Sequence, residues 1–295
     1  MDYVLLILAI LIFTVQTYSF KEFNRRYMKN LASYFLFNAI YFCIVVLIFL
    51  VVNRDVEPIS PITFILALVF GVTFILTILL YMKAMEYGPL SYTTLIFSLG
   101  LLVPVLYGAL FWQERISIPQ IFGLLLLLLT LLIGSRPVSR IDDPKSRINL
   151  RWVIMVILAL VGNGVLMTTS KSQQMLMPGR EIEEFLILSF GTSAVLSLIL
   201  FLIRHFRHGE SVSHLRKWPF LILVVIASVT TAAGNLIALY LSGRMPAIIQ
   251  YPSVSGGMVL LSTIMAVLLY KERLTRNKML GLLTGLAALV MLSLR

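Results

Sequence analysis

The chain has 295 residues, of which 59% are hydrophobic and 13% charged, and it carries a formal net charge of +11. Roughly a quarter of a typical globular sequence is charged, so a soluble domain is excluded and hydrocarbon is the solvent that suits this surface. The basic residues sit in short connections between apolar stretches, which excludes nucleic acid as a partner. The single cysteine, Cys43, excludes an intrachain disulfide and a cysteine metal site.

Ten apolar stretches follow in chain order, at about 3–20, 32–52, 62–82, 90–112, 118–134, 151–170, 184–203, 218–241, 246–270 and 278–294. Most run to about 20 residues, the length that crosses a hydrocarbon core of about 30 Å as a helix. They are continuously apolar rather than alternating, so they read as helices and not as barrel strands. The chain starts Met1-Asp2 and turns apolar at once, without a basic leader, so the first stretch reads as a retained span. The fifth and tenth spans are the short ones, and they occupy equivalent places in the two halves.

Only one connection is long and polar, Ser135–Leu150, with Pro137 and Asp142-Asp143-Pro144. It separates residues 1–134 from residues 151–295, five spans on either side of a linker at 135–150. A charged elbow after the fourth span, Glu114-Arg115 with Gly123 beyond it, recurs 158 residues downstream as Glu272-Arg273 with Gly281. At the same offset Glu86 aligns with Arg244 and Pro104 with Ser262. The opening spans align differently: Lys21 follows Tyr18-Ser19-Phe20 and Lys171 follows Thr168-Thr169-Ser170, each read as closing its helix. A unit of five spans, duplicated, must enter the membrane from the opposite side the second time, so the expected fold is all-α, ten transmembrane helices as two inverted five-helix repeats around a central cavity.

The connections after the odd-numbered spans, together with Arg151 and Lys278 at their edges, hold 18 of the 24 Lys and Arg. The positive-inside rule then puts those connections in the cytoplasm and both termini outside.

No Asp or Glu falls near the middle of any span as drawn. A charge at the bilayer centre costs about 2.5–3.5 kcal/mol on insertion scales, and its absence argues against a cation exporter built on a buried carboxylate. The elbow pair Glu114-Arg115 reads mainly as structure, with Pro119 suited to the first turn of the fifth helix. Lys21 and Lys171 suit a carboxylate, phosphate or zwitterion; the competing reading is a lysine snorkelling to the interface. Uncharged polar groups supply the other candidate contacts. These are Thr17 on span one, Tyr92, Thr93 and Ser98 on span four, and Asn163 on span six. Asn235 and Tyr240 follow on span eight, and Gln250, Tyr251 and Ser255 on span nine. A single Ser or Thr by default bonds the carbonyl one turn back. Asn163, Asn235 and Gln250 differ, because an amide facing lipid leaves several groups unsatisfied.

Pro246, Pro252, Gly256 and Gly257 predict a kinked first half for span nine, and Gly100 and Pro104 loosen span four further along. Gly281 and Gly285 form a small-xxx-small pattern that packs within the monomer or across a homodimer interface. His205, His208 and His214 read as loop residues in the seventh connection.

The elbow motif, together with Ala84-Met-Glu-Tyr-Gly88-Pro89-Leu90-Ser-Tyr92 before span four, resembles the drug/metabolite transporter superfamily in its ten-helix EamA-like branch. The resemblance covers nearly the whole chain. It implies a cavity lined by spans 1–4 and 6–9, peripheral spans 5 and 10, and alternating access. Relatives of this type keep both termini in the cytoplasm, the reverse of the orientation read from the basic residues. The expected function is a secondary transporter of the plasma membrane, embedded in the lipid bilayer, carrying a small-molecule substrate such as an amino acid or a similar neutral or zwitterionic solute. The alternative is a carrier of nucleotide sugars or other phosphate-bearing metabolites. An enzyme acting on lipid-linked substrates is disfavoured, because Asp142-Asp143 is the only adjacent pair of aspartates and lies in a charged loop. No catalytic residue, metal or cofactor is expected.

Overall fold

The computed structural model describes residues 1–53, 58–88, 90–134, 149–212, 215, 218–270 and 276–294. Pro89, most of the linker (135–148), His214 and the second elbow pair Glu272-Arg273 lie outside the described residues.

Every predicted span is helical. In chain order they are α1 (Asp2–Arg26), α2 (Leu31–Val52), α3 (Pro61–Tyr87), α4 (Leu90–Ser98) continuing through a 3-10 turn (Leu99–Leu101) into α5 (Leu102–Phe111), and α6 (Ile118–Gly134). The second half supplies α7 (Leu150–Leu176), α8 (Ile182–His208), α9 (Trp218–Ser242), α10 (Ala247–Tyr270) and α11 (Arg276–Ser293). Among the described residues eight spans are long and apolar enough to cross a membrane, the α4–α5 span counted as one, and two shorter apolar helices lie in α6 and α11. This is an all-α membrane protein.

Local chemistry sets several of the ends. Asn30 caps α2 by accepting the Ser33 N–H at 2.8 Å. The Ser117 N–H donates to the Gln120 side chain at 3.0 Å, one half of a capping box, and Pro119 sits in the first turn of α6 where its missing N–H costs nothing. The two prolines of spans four and nine behave differently from one another. α10 continues as one helix through Pro252, whereas the Gly100–Pro104 stretch breaks span four with the 3-10 turn. Pro104 lacks the N–H that would bond Gly100, and the Leu102 N–H turns to the Gly100 and Leu99 carbonyls instead.

The residues gather into two compact units that cut across the sequence halves. One comprises Met1, Tyr3–Ile75 and Ser172–Gly243; the other comprises Asp2, Leu76–Lys171 and Arg244–Arg295. In the first unit α2 packs on α8 and on α9. Phe42 of α2 stacks on Phe190 of α8 at 5.5 Å, and Phe37 of α2 stacks on Phe23 of α1 at 4.0 Å. In the second unit α6 packs along α11, and α10 packs on α5, α6 and α11. Spans two and seven, four and nine, and five and ten are equivalent by position in the two halves, and each of these pairs is in direct contact. Thr130 and Thr284 hydrogen-bond across α6 and α11 at 2.9 Å. A Cβ at Gly285 would meet Leu260 at 2.7 Å, so this glycine packs inside the monomer, while Gly281 faces open space.

Several helices run on past their expected ends. α1 runs on to Arg26 and α7 to Leu176, so Lys21 and Lys171 lie inside their helices, each five residues from the end. The extension also takes in Glu22, which is buried and paired with Arg25 at 2.7 Å and with Arg26. Likewise α8 runs through His205 and His208, and His205 is helical rather than a loop residue, its ring stacked on Phe201.

Between α7 and α8, Glu181 ties the chain to the start of α3. Its carboxylate accepts the Ser60 hydroxyl at 2.7 Å and the Ser60 N–H at 3.2 Å. Burial alone would raise this carboxyl; hydrogen bonds from Thr63 and Ser60, with Arg180 alongside, outweigh it and hold the group below the usual carboxylate range. A carboxyl depressed in the folded state adds stability above its unfolded pKa, and that contribution is lost as pH falls through the folded value. Thermal unfolding in micelles, run between about pH 7 and about pH 3, should show a smaller acid loss in Glu181→Gln than in the parent. Equal acid losses would remove Glu181 from this account.

Candidate functional site

The second unit holds a charged pair deep in an apolar setting. On α7 a long apolar run gives way to Thr168, Thr169, Ser170 and Lys171. The hydroxyls of Thr169 and Ser170 bond carbonyls one turn back, at 2.7 and 3.2 Å, so they add little polarity of their own. Lys171 is 2% exposed. Its ammonium is enclosed by protein.

Its partner comes from the elbow. α5 ends at Phe111, and Gln113 takes up the left-handed conformation, φ 52°, which swings Glu114 back over the helix. The Trp112 and Glu114 N–H groups both donate to the Gly108 carbonyl at 3.1 Å. The Glu114 carboxylate then lies against Gly108, where an added Cβ would come within 2.6 Å of Oε2. With its side chain only 11% exposed, Glu114 meets the Lys171 Nζ at 2.7 Å through Oε1. Through Oε2 it accepts the Ala247 N–H, also at 2.7 Å.

Ala247 is the first residue of α10, so the carboxylate occupies a helix N-terminus, where unpaired N–H groups and the helix dipole favour an anion. Lys171 completes the arrangement by donating to the Met245 carbonyl at 2.7 Å. One turn further along α10, the Tyr251 hydroxyl donates to the Met167 carbonyl of α7 at 2.7 Å. Ala247 and Tyr251 share an apolar cluster with Leu101, Leu127 and Ala288. The start of α10 is thus held by a carboxylate and an ammonium, and its next turn by a phenol.

The other sequence candidates in this unit fall around the same helices. Thr93 is buried and accepts the Trp152 Nε1–H at 2.8 Å. Asn163 donates to the Phe97 carbonyl at 3.2 Å, just before the 3-10 turn that interrupts span four. Ser98 bonds the Thr94 carbonyl at 2.9 Å. Tyr92 is exposed, Ser255 half-buried and Gln250 buried.

The remaining four belong to the first unit. There Gln16 donates to the Thr231 hydroxyl at 2.5 Å and Asn235 to the Thr231 carbonyl at 2.9 Å, which makes a small polar patch between α1 and α9. Thr17 bonds the Phe13 carbonyl at 2.8 Å and is exposed, as is Lys21; Tyr240 is half-buried. Among the described residues no group of three or more His, Cys, Asp or Glu could hold a metal ion.

Sequence reasoning, which took Glu114 as structural, did not identify α10 as the helix it caps, nor the service of Trp152. The pairing of Glu114 with Lys171 left no local signal, because the two are far apart in the chain.

The EamA-like transporter family model matches the chain twice, over residues 2–136 and 146–294. A solved crystal structure shares the fold with a TM-score of 0.76 over 99% of this chain and 96% of its own, at 15% identity. It is one of 28 solved chains that match. No curated protein matches the sequence. With both halves matched, the chain belongs to the EamA-like transporter family.

Proposed function

We propose that this protein is a secondary transporter that carries a small neutral or zwitterionic solute, of the amino acid class, across the membrane by alternating access. Membership of a drug/metabolite-type transporter family supports the general activity. One observation carries the choice of solute. The buried lysine of α7 has its charge matched by Glu114 at 2.7 Å and donates as well to a backbone carbonyl. A nucleotide sugar or sugar phosphate brings net negative charge, for which Lys171, already neutralised by Glu114, supplies no counter-charge, whereas a zwitterion brings none. What α10 offers beyond the pair is uncharged, with Gln250, Tyr251 and Ser255 in consecutive turns, and these we assign to solute contact.

The test is uptake by proteoliposomes of radiolabelled serine, leucine, UDP-glucose and glucose 6-phosphate. The expected result is uptake of an amino acid and of neither phosphate compound, with Gln250→Ala reducing it at least about tenfold while the protein stays folded. Uptake of UDP-glucose alone would overturn the solute class, and unimpaired Gln250→Ala would remove the assigned contact. The distribution of basic residues places both termini outside in this proposal. A cytoplasmic signal from a reporter joined after Arg295 would reverse that orientation.

A further inference from the structure

We propose that Glu114 and Lys171 are a positioning pair for the first turn of α10, and that the polarity of that helix end fixes which of the two must be the acid. The pair does more than cancel charge. The carboxylate faces a donor, the Ala247 N–H, and the ammonium faces an acceptor, the Met245 carbonyl, each at 2.7 Å. These two backbone groups lie two residues apart on either side of Pro246, where the chain enters α10. Each end of the ion pair is therefore matched to a backbone group that cannot change sign. Exchanging the residues would set an ammonium against an N–H and a carboxylate against a carbonyl, donor on donor and acceptor on acceptor. An ordinary ion pair tolerates exchange; this one is predicted not to.

The consequence reaches the solute contacts. The Pro246 carbonyl accepts the N–H groups of Ile249 and Gln250, at 3.0 and 3.1 Å, so Gln250 closes the same turn that the pair anchors. Tyr251, the next residue, is held to α7 one turn before Lys171. A shift of the pair moves the turn, and with it the Gln250 amide. Gly108 makes the pair possible, since a side chain there would displace the carboxylate. The link to solute binding rests on the transporter reading above; the link to the helix end does not.

The experiment uses the full chain with Cys43→Ser, which removes the only cysteine, and with Met245→Cys as a reporter at a buried position of the same turn. Maleimide labelling in proteoliposomes then reads how often the turn opens. The exchange Glu114→Lys with Lys171→Glu is expected to label at least about tenfold faster than the parent, while the neutral pair Glu114→Gln with Lys171→Met stays within about threefold of it. Labelling of the exchanged protein at the parental rate would overturn the proposal. If the exchanged protein does not reach the membrane, Gly108→Ala carries the test, because it keeps both charges and only displaces the carboxylate. Faster labelling is again expected, and the parental rate again overturns.

Serine and leucine uptake separates the second half. In Gly108→Ala the KM should rise about fivefold with maximal rate little changed, whereas a fall in maximal rate at unchanged KM would mean a structural role alone. Should the parent carry neither amino acid, the transporter reading of the solute fails while the labelling still decides the pair.

Discussion

Lys171→Met should destabilise the protein by about 3–5 kcal/mol, the range found when one partner of a buried ion pair is removed. The reason is the group left behind. Glu114 would keep its Ala247 N–H and the helix dipole but lose its counter-charge, in a setting where both side chains are at most 11% exposed. Taking a carboxylate from water into such a place is expensive unless a partner and hydrogen bonds offset it. Adding Glu114→Gln should recover most of the loss, since the amide oxygen still accepts from Ala247 and no bare charge remains. The single Glu114→Gln should fall between the two, with Lys171 then buried against the Met245 carbonyl alone. Unfolding by denaturant in micelles reads all three variants. A Lys171→Met loss under about 1 kcal/mol, the range of exposed pairs, would mean that water reaches the pair and that it is a surface contact.

The sequence made the spans legible because the relevant physics is local. A continuous apolar run of about 20 residues has few other solutions in lipid, since every backbone group must be satisfied within the segment. The duplication was equally legible, from two elbows at one offset. The ends of helices were harder. Lys21 and Lys171 read as stops because charges leave hydrocarbon, yet both helices continue for five more residues. In α7 those residues are paid out as polar contacts, with the buried Gln173 and Gln174 hydrogen-bonded to each other and to the Arg180 carbonyl. A helix that finds partners for polar side chains need not end where lipid would end it.

The same limit explains the site. Glu114 and Lys171 were each conspicuous, one as elbow and one as cation. What joins them is Gln113 in the left-handed conformation, a position where glycine is usual and glutamine gives no warning. Proline is ambiguous for a related reason. Pro252 falls in the second turn of α10, where one missing bond leaves the helix assignment intact, while Pro104 follows a glycine by four residues and breaks span four. Proline chemistry is the same in both; the neighbouring helix decides. At the break α7 presents Asn163, whose amide bonds the Phe97 carbonyl, and small residues that let the two backbones approach.

That approach carries the second large effect. Gly164→Ala should cost about 1–3 kcal/mol, the usual range for overpacking, despite the roughly 1 kcal/mol that alanine gains over glycine as a helix former. The added Cβ would fall on Val103, at its Cβ and Cγ2, and lie 3.0 Å from the Gly100 carbonyl. Neither neighbour is the free end of a flexible chain. Val103 is β-branched with one χ angle, and the Gly100 carbonyl belongs to the 3-10 turn. The methyl must therefore push α7 away from the interrupted span. Asn163, one residue earlier, would lose its 3.2 Å bond to Phe97. Val103→Ala in the same chain removes the atoms in the way, so the double variant should be more stable than the sum of the two singles predicts, by about 0.5–3 kcal/mol. Additive singles would show that the two helices have room to move. A positive coupling would place the break in span four under the control of a single backbone contact, and span four ends in the elbow that anchors α10.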